Sequence, residues 1–164
     1  MSSAALTSSE LLQYTEAEYS HWREWFMKNP AALEVKTDIA ETSNARQLLL
    51  HIIAVDLRYA ERLLGEDVTT YDKIPTSCEG LFGTADVALK KMQRFVAKAG
   101  DHDWKQTITF STMTAGTQTA SKRKCFVHTL FHGARHWAQL ASILRAAGFK
   151  QDWRHDFLFS DAMQ

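Results

Sequence analysis

Three histidines recur at every fourth position near the end of the chain, as His128, His132 and His136. In an α-helix this spacing places their side chains in one stripe, with neighbouring members about 6 Å apart along the axis. Two neighbours can therefore bind one transition-metal ion through imidazole nitrogens at about 2.0–2.1 Å, whereas the outer two, about 12 Å apart, cannot comfortably share it. The spacing leaves open whether His132 pairs with His128 or with His136, and a third ligand has to come from another element.

His51 is the leading candidate for that third ligand. It stands in the middle of an apolar segment, Leu48 to Leu57, where an unpaired imidazole has to be neutral and hydrogen-bonded. A lone helical histidine is more often a surface residue or a satisfied core group, so the prediction depends on the combination of His51 with three histidines in register. Gly133, inside the same stripe, costs about 1 kcal/mol relative to alanine and indicates that another group approaches the backbone there.

The elements that must position these histidines are helices. Only two prolines interrupt the chain, and apolar residues recur at helical spacing in four segments. The segments run from about Ser8 to Asn29, from Thr42 or Ser43 to Gly65, from Thr84 to Gly100, and from Ala120 to Ala147. Their lengths predict an all-α fold, an antiparallel four-helix bundle that forms a single domain over residues 1–164.

Three further segments connect or follow these helices. Glu66–Gly83 contains a proline and two glycines and predicts a long connection between the second and third helices. Between Lys105 and Thr119, β-branched and polar residues around Gly116 predict a short irregular hairpin before the fourth helix. The last segment, Phe149–Gln164, is an aromatic-rich tail.

The helical stripes also predict which side chains are buried. The core-facing residues of the first helix include Trp22, Trp25 and Phe26; those of the third are Val87, Ala88, Met92, Phe95 and Val96; those of the fourth include Phe131 and Trp137. Asp56 falls within the apolar stripe of the second helix, where we expect an arginine or a backbone amide to partner its carboxylate. Cys125 lies about 10 Å from His132 along the helix and is predicted to be a small buried residue outside coordination reach.

Composition excludes several classes of partner and compartment. Nineteen basic and nineteen acidic residues cancel, so no overall field recruits nucleic acid or an anionic membrane. The first residues lack the basic and apolar regions of a secretion signal, and no apolar run is long enough to span a membrane, so we expect a cytoplasmic protein. In a reducing compartment Cys78 and Cys125 are expected to remain thiols.

The residues around the histidines resemble the DinB/YfiT-like family of metal-binding bundles. The likeness is carried by Leu50-His51-Ile52-Ile53-Ala54, by the segment from His128 to Leu140, and by Leu144-Arg145-Ala146-Ala147-Gly148. It implies a four-helix bundle, often dimeric, with nickel, zinc or a similar divalent ion bound by His51, His132 and His136. The chain departs from the family pattern at Phe131, where a polar residue is common, and at Trp137-Ala138, where Arg-Gly is usual.

The resemblance implies two classes of function. Family members with known activity include transferases that use a low-molecular-weight thiol such as bacillithiol or mycothiol, and a thiol-dependent maleylpyruvate isomerase. We therefore expect a metal-dependent thiol S-transferase, with metal-assisted hydrolysis as the nearest chemical alternative, whose partners are a small thiol, an electrophile and a second copy of the chain.

The alternative is a non-catalytic, stress-related or structural metal-binding protein. A water-accessible pocket beside the histidines discriminates between the two classes, because a structural ion is normally closed by a fourth protein ligand. His128, Arg135, Gln139 and Asp56 are the polar residues expected to line that pocket.

Overall fold

The computed structural model describes residues 5–112 and 116–163 and is mostly helical. Its elements, in chain order, are helices α1 (Ser8–Lys28), α2 (Ala45–Leu64), α3 (Cys78–Lys98) and α4 (Asp101–Lys105), strands β1 (Thr107–Thr112) and β2 (Gly116–Ser121), and helix α5 (Lys122–Ala146). Helix α2 packs against α3 and α5, and α1 packs against the same two helices. A helical bundle with a hairpin before its last long helix therefore agrees with the prediction in outline. None of the described helices combines the length and the apolar character needed to cross a membrane.

Local sequence explains where the first two helices begin and end. The Thr7 hydroxyl accepts a hydrogen bond from the Glu10 backbone N–H, and the Glu10 carboxylate accepts one from the Thr7 N–H, which closes a capping box at the start of α1. Helix α2 is capped by Asn44 rather than by the predicted Thr42 or Ser43. It ends, as predicted, at Gly65, whose φ of 71° is left-handed and strongly favours glycine.

Helix α3 begins at Cys78 rather than at the predicted Thr84, so the preceding connection is shorter than Glu66–Gly83. Ser77 caps the helix by accepting a hydrogen bond from the Gly80 N–H. The two glycines of this segment were interpreted as loop residues, but they lie inside the helix. At Gly80 the absence of a side chain is required, because a Cβ there would stand 2.5 Å from the Cβ of Pro75. The short helix α4 was not predicted.

The core contains most of the predicted apolar residues, including Trp22, Trp25 and Phe26. Two predictions were wrong: Val87 is 46% exposed and Phe131 is 65% exposed. Val87 precedes the buried Ala88 and Phe131 follows the buried Leu130. Each therefore points about 100° away from its buried neighbour around the helix. The apolar stripes of α3 and α5 are narrower than the sequence pattern indicated.

The hairpin is antiparallel, with Phe110 opposite Gln118; residues 113–115 of the predicted hairpin lie outside the described residues. The ring of Phe110 packs edge-on against Tyr59 of α2, 5.4 Å between centroids, so the hairpin rests on that helix. Ser121 accepts a hydrogen bond from the Lys124 N–H and caps α5, which therefore begins at Lys122 rather than at Ala120.

The C-terminal tail is held against α1 by a buried carboxylate. Glu18 is 4% exposed, and its two oxygens lie 3.2 Å from Trp153 Nε1 and 3.1 Å from His155 Nδ1. The Tyr14 hydroxyl donates a hydrogen bond to the carbonyl of His155. The aromatic character of the tail thus serves packing against α1.

Candidate metal centre

Packing of α2 against α5 brings three histidines together. His51 projects from α2, and His132 and His136 project from consecutive turns of α5. The Nε2 atoms of His51 and His132 are 3.1 Å apart, and the ring centroids of His132 and His136 are 4.4 Å apart. One nitrogen from each residue lies within 4.8 Å of the other two.

This donor set fits a transition-metal ion. Two nitrogens 3.1 Å apart can both bind an ion at about 2.0–2.1 Å if the angle at the ion is about 100°, which lies between octahedral and tetrahedral values. Imidazole nitrogens are ligands that nickel, copper and zinc accept readily. The group could therefore hold one divalent ion between α2 and α5.

Burial favours the neutral form of these histidines. Burial, followed by the nearby His136, lowers the pKa of His132 to about 3 and that of His51 to about 4. Burial also lowers the pKa of His136, whereas the hydrogen bond that its ring donates to Gln139 raises it. Neutral imidazoles keep a lone pair for coordination, whereas imidazolium cannot bind a metal.

Hydrogen bonding assigns the ring orientation of His136. Its Nδ1 lies 2.7 Å from Gln139 Oε1, and because a carbonyl oxygen only accepts, Nδ1–H is the donor. The lone pair is therefore on Nε2, which lies 3.1 Å from a guanidinium nitrogen of Arg135. An ion bound at Nε2 would displace that guanidinium, whose side chain is exposed and can turn away.

His128 stands outside the group. Its ring centroid is 5.8 Å from that of His132 and 5.6 Å from that of Tyr59, and the side chain is exposed. The spacing of the histidines left the partner of His132 undecided, and in the structure that partner is His136.

A cavity of about 790 Å³ opens beside the three histidines. Three of the four predicted pocket residues, His128, Arg135 and Gln139, line it.

The fourth predicted pocket residue, Asp56, does not line the cavity, and its predicted hydrogen-bond partners were also wrong. The Asp56 carboxylate is 2% exposed and accepts a hydrogen bond of 2.6 Å from the hydroxyl of Tyr19 on α1. Burial raises the pKa of Asp56 to about 7, although the bond from Tyr19 lowers it.

Two smaller predictions have different outcomes. Cys125 is buried, as predicted, and does not join the histidine group, and burial raises the pKa of its thiol. The close approach predicted at Gly133 is absent: a Cβ there would meet Trp137 Nε1 at 3.7 Å, an ordinary contact distance. The glycine is therefore not required by packing against the described residues.

The sequence interpretation missed part of the cavity wall. Arg58 and Arg62 of α2 line it together with Tyr59, Tyr71 and Phe110. Positions 51, 55, 58 and 62 follow the spacing of one helical face, so the histidine and both arginines lie on the same side of α2. This row of polar residues along an otherwise apolar helix was the sequence signal that could have predicted the arginines in the cavity wall.

Comparison with known proteins agrees with this architecture. No curated protein matches the chain. The sequence model of the DinB family matches residues 1–162, which is nearly the whole chain. On that match, the chain belongs to the DinB family.

Proposed function

We propose that this protein binds one divalent transition-metal ion, nickel or zinc, through His51, His132 and His136, and that it acts as a metal-dependent transferase of a low-molecular-weight thiol. The observation that carries the proposal is the cavity of about 790 Å³ beside three neutral imidazoles. Among the described residues, no carboxylate or thiol joins the histidines as a fourth ligand. Catalytic sites keep such a position open, whereas structural sites close it.

When bound, such an ion supplies a Lewis-acidic position at which a thiol or water loses its proton near neutral pH. The chain's own residues prepare that position. Gln139 holds His136 in the tautomer whose Nε2 carries the lone pair. The side chain of Arg135 is exposed and lines the same cavity, so its guanidinium can balance the negative charge of a thiolate nucleophile there.

The first test is metal content and its dependence on each histidine. Elemental analysis of the purified protein is expected to find about one nickel or zinc ion per chain, because three imidazoles disfavour magnesium and calcium. His51→Ala, His132→Ala and His136→Ala are each expected to abolish tight binding. His128→Ala is the matched control, because it removes an imidazole from the same cavity but not from the group. Retention of metal by His136→Ala together with its loss from His128→Ala would contradict the ligand assignment.

The second test separates a catalyst from a non-catalytic metal-binding protein. Metal-loaded and metal-free protein would be assayed with several small thiols and a panel of electrophiles. Metal-dependent conjugation that the His51→Ala variant lacks is the expected result. Full metal occupancy without turnover of any thiol and electrophile pair would favour the non-catalytic alternative.

We also propose that the protein forms a homodimer. Most of the apolar side chains of α2 are buried within the chain, where α2 packs against α3 and α5. Support comes instead from apolar side chains exposed elsewhere, such as Phe131 at 65% and Leu158 at 82%. Light scattering that gives the mass of a single 18.6 kDa chain over a wide concentration range would contradict it.

A further inference from the structure

The cavity beside the histidines is electropositive. Four cationic side chains, Arg58, Arg62, Lys124 and Arg135, line it, and Glu41 is the one carboxylate among its described lining residues. The three grouped histidines add no negative charge. A cavity whose walls carry this excess of cations attracts anions, although the chain as a whole has no net charge.

Arg58 and Arg62 form a pair at the end of the cavity away from His51. In the part of the chain that the structure describes, neither guanidinium has a hydrogen bond or an ion pair. Glu61, a buried acid whose charge acts on Arg62, accepts hydrogen bonds from the N–H and the hydroxyl of Thr69. Burial and then the positive charge of Arg58 lower the pKa of Arg62, although the charge of Glu61 raises it.

Aromatic rings hold both guanidiniums in place. The guanidinium of Arg58 lies over the ring of Tyr71, 5.1 Å from its centroid. That of Arg62 lies 5.2 Å from the centroid of Tyr59 and 5.0 Å from that of Phe110. A guanidinium that rests its face on a ring keeps its edge N–H groups available, and those groups match the two oxygens of a carboxylate or phosphate.

The pair also lies at a useful distance from the histidines. Arg58 and Arg62 follow His51 by seven and eleven residues on α2, which is about 10 and about 16 Å along the axis. One continuous cavity connects them, with the hairpin residue Phe110 as part of its wall. A molecule that spans it must be elongated, with an anionic end and a reactive end.

We propose that Arg58 and Arg62 form an anion subsite that binds a carboxylate or phosphate group of a small substrate whose reactive end lies at the three histidines. This inference rests on the proposed function for the identity of the reactive end, but the subsite itself depends only on the arginines and rings. It restricts the substrate class to elongated molecules whose anionic group and reacting atom can reach positions about two to three turns apart on α2.

The test uses simple probes that contain no thiol. Succinate, inorganic phosphate and the neutral analogue succinamide would be titrated into ¹⁵N-labelled protein, and the Nε–Hε signals of the arginines followed by NMR. Succinate or phosphate is expected to shift the signals of Arg58 and Arg62, and succinamide is not. Preference for succinate identifies a carboxylate as the ligand, and preference for phosphate identifies a phosphate; either supports the subsite.

Variants show whether charge or geometry is responsible. Arg58→Gln and Arg62→Gln are expected to weaken anion binding about tenfold or more, the loss of a charged hydrogen bond. Arg123→Gln is the matched control, since Arg123 is exposed on the first turn of α5 and does not line the cavity. Arg58→Lys keeps the positive charge but loses the planar guanidinium that can donate two parallel hydrogen bonds, so this variant should bind anions with intermediate strength. It also provides a test if a glutamine variant fails to fold.

The metal site and the anion subsite can be tested independently of each other. His51→Ala is expected to lose metal and to keep binding succinate or phosphate, whereas the arginine variants are expected to keep their metal. Absence of binding by both anions, equal binding of succinamide, or equal weakening by Arg123→Gln would overturn the anion subsite while leaving the metal site intact.

Discussion

Asp56→Asn is expected to change how the stability of the protein depends on pH. The Asp56 carboxyl is buried against Tyr19, and its pKa is raised from 3.8 to about 7. Since the folded state binds the proton more tightly than the unfolded chain, the neutral form stabilises the fold in full below about pH 4, and this contribution is lost as pH rises through about 7. At about 1.4 kcal/mol per pKa unit, the whole change amounts to about 4 kcal/mol.

Asparagine has nearly the same shape and can still accept the hydrogen bond from Tyr19, but it cannot ionise. The free energy of unfolding of Asp56→Asn minus that of the unsubstituted protein should therefore rise by about 3 kcal/mol between about pH 4.5 and about pH 8.5. Denaturant unfolding at several pH values measures this difference, in which the shared titration of the histidines cancels. Tyr19→Phe should extend the pH range of the effect upward, because the hydroxyl lowers the Asp56 pKa.

The exposed Asp67 provides the control: Asp67→Asn makes the same chemical change without burial. A difference between Asp56→Asn and the unsubstituted protein that stays constant over this range would refute the reasoning. It would mean that the buried carboxyl keeps an ordinary affinity for protons.

Two glycines in one helix should respond in opposite ways to the same substitution. Gly80→Ala is expected to destabilise the protein by about 1–3 kcal/mol, because the new methyl group would clash with Pro75. Gly83→Ala should stabilise it by about 0.5–1 kcal/mol, because nothing lies within 4 Å of the new methyl group and alanine favours the helix. Thermal unfolding of the two variants measures these changes, and equal effects would contradict this account. Gln139→Ala should weaken nickel or zinc binding about tenfold to a hundredfold without removing it, because it frees Nδ1 of His136. Metal titration measures this loss, and unchanged affinity would show that the hydrogen bond does not orient the ring.

The sequence indicated the helices and the histidines because their signals are periodic. His51 could be placed at the centre of a buried helix, and the stripe on α5 could be identified, from spacing alone. The choice between His128 and His136 could not be made in that way, because it depends on the height at which α2 crosses α5. The resemblance to the family supplied that choice, and the geometry agrees with it.

Other features depend on tertiary contacts that no periodicity encodes. The start of α3 was missed because glycine is usually unfavourable inside a helix, and Gly80 lies in its first turn. The contact with Pro75, which requires glycine at that position, is visible only in the structure. The partner of Asp56 is a hydroxyl from α1, a contact between residues far apart in the chain. The contact between the guanidinium of Arg62 and the ring of Phe110 likewise depends on the hairpin folding back beside α2.

The hairpin has a further consequence for how this protein can diversify. It forms a wall of the cavity through Phe110 and Gln118, but contributes no residue to the histidine group. Loops carried on a rigid scaffold tolerate insertion and substitution better than the helices that support them. Changes in β1 and β2 can therefore alter the shape of the cavity while the histidines on α2 and α5 stay in place, so that the cavity wall and the histidine group can evolve independently.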